Sequence, residues 1–155
     1  MEKSIHKIRT GRLSLIMLIA LTLLNSGAWL FGNTIVFPYT AYLPQLAALF
    51  AHISFETNGL NVAVFFWILV SIGLISIYWF AWKKSKTQAN GFRTALIFFV
   101  LDAPLFLFSY YTVITRWDVL LSIAIRGLII YHLYEAYQSS MRFPNQSVSL
   151  RVNPK

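Results

Sequence analysis

"FFVLDAPLFLF", residues 98–108, is an apolar run that contains one carboxylate, Asp102, and one proline, Pro104. A run of about 20 mainly apolar residues is long enough to cross a hydrocarbon core roughly 30 Å thick. An ionisable side chain at that depth is costly, and it usually faces the interior of a helix bundle and a polar partner. The stretch therefore predicts a spanning helix that makes a buried polar contact.

The composition of the whole chain indicates an integral membrane protein. Of its 155 residues, 57% are hydrophobic and 12% are charged, whereas soluble domains have about 25% charged residues. The net charge of +8 comes from basic residues that flank the apolar runs. These residues indicate membrane topology and contact with anionic headgroups, and they form no separate patch for nucleic acid. The chain has no cysteine, which excludes disulfides, thiolate metal sites and cysteine nucleophiles.

The apolar runs predict an all-α fold, a four-helix membrane bundle in one domain over residues 1–138. The predicted spans are about 13–31, 62–82, 94–114 and 119–137. The first run could instead be a signal peptide cleaved near Ser26-Gly27-Ala28. We favour an uncleaved helix, because the apolar character continues to Phe31. Residues 139–155 are predicted to be a polar, disordered cytoplasmic tail.

The segment between the first two runs contains Pro38 and Pro44, which exclude a spanning helix there. Apolar residues recur at helical spacing within it, at Leu43, Leu46, Ala47, Phe50 and Ile53. This pattern predicts a short amphipathic helix that lies in the membrane interface, in the first outer loop. Small residues in the second and fourth helices, including Gly73 and Gly127, indicate places where helices approach closely.

The positions of lysine and arginine predict the orientation. With both termini in the cytoplasm, eleven of the thirteen basic residues lie on the inner face. They are Lys3, Lys7, Arg9, Arg12, Lys83, Lys84, Lys86, Arg93, Arg142, Arg151 and Lys155. The size and membrane content of the chain suggest a bacterial protein, so the expected location is the inner (cell) membrane, as a multi-pass protein.

Asp102 and His132 are predicted to form an intramembrane polar pair. If Trp117 is the centre of the turn at 116–118, His132 lies opposite Asp102, and Arg126 lies about 9 Å nearer the outer face. Helical side chains lean towards their own N-terminus, so Arg126 is expected to lean away from Asp102. It would snorkel outwards towards Asp118.

Pro104 is predicted to kink its helix, because it removes the hydrogen bond to the carbonyl of Val100.

The Asp102–His132 pair would either hold a proton near neutral pH or serve as a contact that fixes helix register. His132 and Glu135 share a helix face, but metal sites in bundles use matched motifs from several helices. No metal site, cofactor or catalytic set is expected.

The stretch from "LDAPLFLF" through "TRWD" to "RGLIIYHLYEAY" resembles the last hairpin of small four-helix bacterial inner-membrane proteins with no assigned activity. The resemblance covers about the last third of the chain. It implies a four-helix membrane fold and no chemistry.

These features predict a small non-enzymatic inner-membrane protein, an accessory, assembly or protective subunit. Its expected partners are the lipid bilayer and either a membrane protein or further copies of the chain. Four helices enclose little polar volume, which argues against a complete transporter in one protomer. The alternative is a small oligomeric proton-coupled transporter or channel that uses Asp102 and His132.

Overall fold

A computed structural model describes residues 2–33, 37–110 and 116–142, with side chains for 3–33, 37–107 and 120–142. Over these residues the chain is all-helical. The helices are α1 (Glu2–Leu30), α2 (Tyr42–Asn58), α3 (Val62–Ser85), α4 (Asn90–Tyr110) and α5 (Arg116–Arg142). Three of them, α1, α3 and α4, are long and apolar enough to cross a membrane.

Contacts near the helix ends show the directions of the long helices relative to one another. Arg12 in α1 donates a hydrogen bond from Nη2 to the carbonyl of Ser85 at the end of α3, at 2.9 Å. Lys7 in α1 contacts Glu135 near the end of α5, with 2.6 Å between Nζ and Oε1. The starts of α1 and α4 therefore lie beside the ends of α3 and α5. We call this the basic end of the bundle, and it contains Lys3, Lys7, Arg9, Arg12, Lys83, Lys84, Lys86, Arg93 and Arg142.

The core lies between α1, α3, α4 and α5. Leu15 of α1, Phe99 of α4 and Leu133 of α5 are fully buried in one hydrophobic cluster. Gly11 lets α1 approach α5 closely near the basic end, because a Cβ there would lie 2.3 Å from Ala136 Cβ, and Phe92 Cε1 of α4 would lie 3.1 Å away. The first helix is thus an integral part of the bundle.

The chain turns back into the bundle after α1. Asn25 binds both backbone groups of Phe37, with 3.1 Å to its carbonyl and 3.1 Å from its N–H. Further along, Thr22 Oγ1 accepts the N–H of Ala41 at 2.9 Å. Residues 37–41 therefore run antiparallel to the end of α1, and α2 begins about a third of the way back along it. We call residues 37–41 the returning segment.

The helix predicted in the first outer loop exists, and its first turn is buried inside the bundle. Tyr42 in that turn is buried beside the middle of α4. The buried side of α2 is mostly small or polar, whereas Phe50 and Ile53 are exposed. Hydrophobic periodicity did not find this position, because polar side chains of other helices hold the first turn in the interior.

The helix boundaries differ from the predictions at the start of α1 and around the last turn. The first helix was predicted at 13–31, whereas α1 begins at Glu2. Residues 116–118, predicted as a turn, are the first residues of α5. Residues 139–142, predicted as the start of the tail, are its last residues, and 143–155 lie outside the described residues. Gly73 and Gly127 do not mark close approaches within this chain, because a Cβ at either position would meet no atom of the described residues within 4 Å; close approach to a partner, the other predicted possibility, stays a prediction.

Candidate functional site: the buried Asp102 centre

Asp102 caps the N-terminus of α2 from another helix. Its side chain is fully buried, and Oδ2 accepts the N–H of Tyr42 at 2.7 Å while Oδ1 accepts the N–H of Leu43 at 2.6 Å. The first N–H groups of a helix have no partner within the helix and carry partial positive charge. Ala41, the residue before α2, makes no side-chain capping bond, and Pro44 has no N–H to satisfy. Asp102 therefore supplies the acceptor that the local sequence lacks.

Arg126 of α5 completes the site. Its Nη1 donates to Asp102 Oδ2 at 3.0 Å, and both side chains are almost entirely buried. The guanidinium lies over the ring of Phe106, 3.9 Å from its centroid, an arrangement that favours a cation. The carboxylate thus accepts three hydrogen bonds, which join α2, α4 and α5 at one point. We call Asp102, Arg126 and the two N–H groups of α2 the Asp102 centre.

The predicted pair of Asp102 with His132 is wrong, because the structure pairs Asp102 with Arg126. The prediction placed the turn too late in the chain. The midpoint between the end of α4 and the start of α5 is residue 113, which puts Ala124 opposite Asp102. Arg126 then lies about 3 Å along the axis from that level and His132 about 12 Å. A shift of a few residues in the position of the turn therefore changes which residue of α5 lies opposite Asp102.

The prediction that Arg126 snorkels outwards is also wrong, since its guanidinium is directed to the buried carboxylate. The side chain of Asp118 lies outside the described residues. Pro104 is on the exposed side of α4, and the helix continues through it to Tyr110. The kink at Pro104 stays a prediction.

A second set of polar side chains lies beside the returning segment and the first turn of α2. Thr22, Asn25, Thr40 and Gln45 are all buried. Gln45 donates from Nε2 to the carbonyl of Ala41 at 3.0 Å and also to the hydroxyl of Thr40. On the opposite side of α2, Ser71 of α3 donates to the carbonyl of Pro44 at 2.8 Å. The returning segment and the first turn of α2 are therefore held by polar groups from three helices.

His132 lies near the basic end, away from Asp102. It lines a cleft of about 460 Å³ between α1 and α5, together with Lys3, His6, Lys7, Thr10 and Glu135. His132 and Glu135 do face the same space, as their spacing predicts. Within the described part of the chain, no three His, Cys, Asp or Glu side chains are placed to hold a metal ion.

The Asp102 centre is a set of charge-assisted hydrogen bonds that joins α2, α4 and α5. Charge-assisted hydrogen bonds are stronger than neutral ones, and here they satisfy a helix terminus that would otherwise be unpaired in an apolar interior. The fold and the site together define an all-helical protein with three helices suited to crossing a membrane and a buried polar junction between α2, α4 and α5. Comparisons with models of known families, with curated proteins and with solved structures found no match to this chain.

Proposed function

We propose that the chain is a four-span inner-membrane protein that acts as a non-enzymatic accessory or assembly subunit. The observation that carries the proposal is the Asp102 centre, where both carboxylate oxygens are bound by donors from α2 and α5. The interior polar groups are used to hold helices together. The outward surface is strongly apolar, with large exposed side chains on every helix, as expected of a protein surrounded by lipid and membrane partners.

We propose α5 as the fourth spanning helix. It contains Arg126, which lowers its apolar character, but the charge of that residue is compensated inside the bundle by Asp102. Leu120, Leu121 and Leu128 are exposed on its outer surface. A helix of 27 residues is about 40 Å long, which is more than a hydrocarbon core requires.

The proposed orientation has the basic end in the cytoplasm, in keeping with the excess of Lys and Arg on cytoplasmic loops. The chain has no cysteine, so a single-cysteine variant that is purified after labelling carries label only at the introduced residue. In intact cells a membrane-impermeant maleimide should label Leu60→Cys, in the turn between α2 and α3. It should label Lys84→Cys only after permeabilisation. The reverse pattern would contradict the orientation.

The accessory function and the predicted alternative, proton transport through Asp102 and His132, differ in what Asp102→Asn does. The accessory function predicts that proton flux into liposomes equals that of protein-free vesicles, with and without this substitution. It also predicts that the variant lowers the amount of folded protein. A flux that the wild-type chain supports and that Asp102→Asn abolishes, at an unchanged amount of folded protein, would refute the accessory function.

A direct test of the accessory function uses the native cell. Deletion of the chain should deplete one other membrane protein in quantitative membrane proteomics, and the intact chain should restore it. Asp102→Ala should fail to restore that protein. Leu101→Ala, which truncates an exposed neighbour on α4, should restore it fully and is the matched control. An unchanged membrane proteome after deletion would count against the proposal.

A further inference from the structure

The cleft between α1 and α5 has a chemical character that the Asp102 centre does not share. It is lined by Lys3, His6, Lys7 and Thr10 from the first turns of α1 and by His132 and Glu135 from α5. A smaller cleft of about 170 Å³ adjoins it, shares Lys3, Lys7 and Glu135, and adds Arg142. Cationic and hydrogen-bond donor groups therefore converge on one opening at the basic end.

The charge balance of the cleft favours an anion. Glu135 is the acidic side chain among its described lining residues, and its Oε1 lies 2.6 Å from Lys7 Nζ. That ion pair leaves Lys3 and the imidazoles of His6 and His132 to meet a ligand, with the Thr10 hydroxyl as a further donor. Ammonium groups with hydroxyl and imidazole donors are typical ligands of phosphate.

The surroundings of the cleft favour a lipid as the source of the phosphate. On α1, Leu13 and Met17 continue the helical stripe of Lys3, His6 and Thr10, and both are exposed. On α5, the exposed Leu128 continues the stripe of Glu135 and His132 in the same direction. A molecule with its phosphate in the cleft would have apolar side chains beside it on two helices, where acyl chains could lie.

We propose that the α1–α5 cleft binds a phosphate group, with the headgroup of an anionic membrane lipid as its source. Basic pockets between helices on the cytoplasmic side are suited to such headgroups. The inference goes beyond the accessory function, because it concerns a separate site and does not depend on which membrane protein is the partner.

The test is a titration of the purified full-length chain in detergent, with bound lipid counted by native mass spectrometry. The probes are phosphatidylglycerol, phosphatidylcholine with the same acyl chains, and inorganic phosphate. Phosphatidylglycerol should bind more tightly than phosphatidylcholine. Lys3→Ala should weaken its binding about fivefold, the effect expected for one basic residue near an anionic lipid. Glu135→Gln should strengthen binding, because it removes a negative charge and releases Lys7.

Lys84→Ala is the matched control, because it removes an exposed cation at the same end of the bundle but outside the cleft. It should leave the affinity for phosphatidylglycerol unchanged. Equal losses from Lys3→Ala and Lys84→Ala, or equal affinity for the two lipids without binding of inorganic phosphate through Lys3, would overturn the proposal. If inorganic phosphate binds through Lys3 and phosphatidylglycerol shows no preference, the phosphate site stands and its lipid source is refuted. Circular dichroism of each variant confirms that the helices are intact.

Discussion

Removal of the Asp102 carboxylate is expected to be the most damaging single truncation at the buried junction. Asp102→Ala leaves the guanidinium of Arg126 and the N–H groups of Tyr42 and Leu43 without their acceptor. Breaking a buried ion pair costs about 3–5 kcal/mol, and each buried N–H left unpaired adds about 1–3 kcal/mol. We expect the free energy of unfolding to fall by at least about 5 kcal/mol.

Arg126→Met should cost less than Asp102→Ala, about 3 kcal/mol. The substitution removes the cation and keeps an apolar stem beside Phe106, and Asp102 still binds the two N–H groups of α2. In the double variant Asp102→Ala/Arg126→Met no unpaired cation remains. Its cost should therefore fall short of the sum of the single costs by about 3 kcal/mol or more.

Unfolding in mixed micelles of sodium dodecyl sulfate, followed by the fluorescence of the five tryptophans, measures these free energies. Hydrogen exchange at the Tyr42 and Leu43 amides reports the capping bonds separately. Exchange there should accelerate in Asp102→Ala and change little in Arg126→Met. Equal costs for the two single variants, together with strict additivity in the double variant, would show that Asp102 does not serve both partners and would refute the reasoning.

Three further predictions concern other parts of the bundle. Gly11→Ala should destabilise the fold and lower the melting temperature in detergent, because its Cβ would lie 2.3 Å from Ala136 Cβ. The control is Gly73→Ala, which has open space around it and should be neutral or stabilising by about 0.5–1 kcal/mol. Thr22→Val should cost about 1–3 kcal/mol in the same unfolding assay, because it leaves the N–H of Ala41 without its acceptor. Thr57→Val, whose exposed hydroxyl bonds only within α2, should cost less than about 0.5 kcal/mol. Glu135→Gln should lower the melting temperature slightly, and this loss should shrink as salt is added, because the Lys7–Glu135 pair is partly exposed.

The helices long and apolar enough to cross a membrane could be predicted from the sequence, because each is defined locally by the length of its own apolar run. The runs at 62–82 and 94–114 correspond closely to α3 and α4. The position of α2 could not be found in this way. Its apolar spacing indicates a helix, but the depth of its first turn depends on Asp102, sixty residues further along the chain.

The site was predicted in part. Asp102 was identified as a buried polar group because it is a lone carboxylate in an apolar run. The identity of its partner depends on the position of the turn between the last two helices. The sequence predicts that turn at residues 116–118, whereas these residues begin α5. Thr22 was not singled out, because a threonine within an apolar helix has a weak signal. Gly11 was missed as well, because the basic residues around it indicate membrane topology and not helix packing.

The capping of α2 by α4 has a consequence for synthesis. At about 5–20 residues per second, a ribosome takes roughly 3–12 s to produce the sixty residues between Tyr42 and Asp102. During that interval the N–H groups of Tyr42 and Leu43 do not yet have Asp102 to bind, so water at the membrane surface is available as their partner. The returning segment and α2 would therefore stay at the membrane interface during this time, the position that their amphipathic sequence favours. They would enter the bundle after α4 has been inserted, so the order of translation delays this part of the fold.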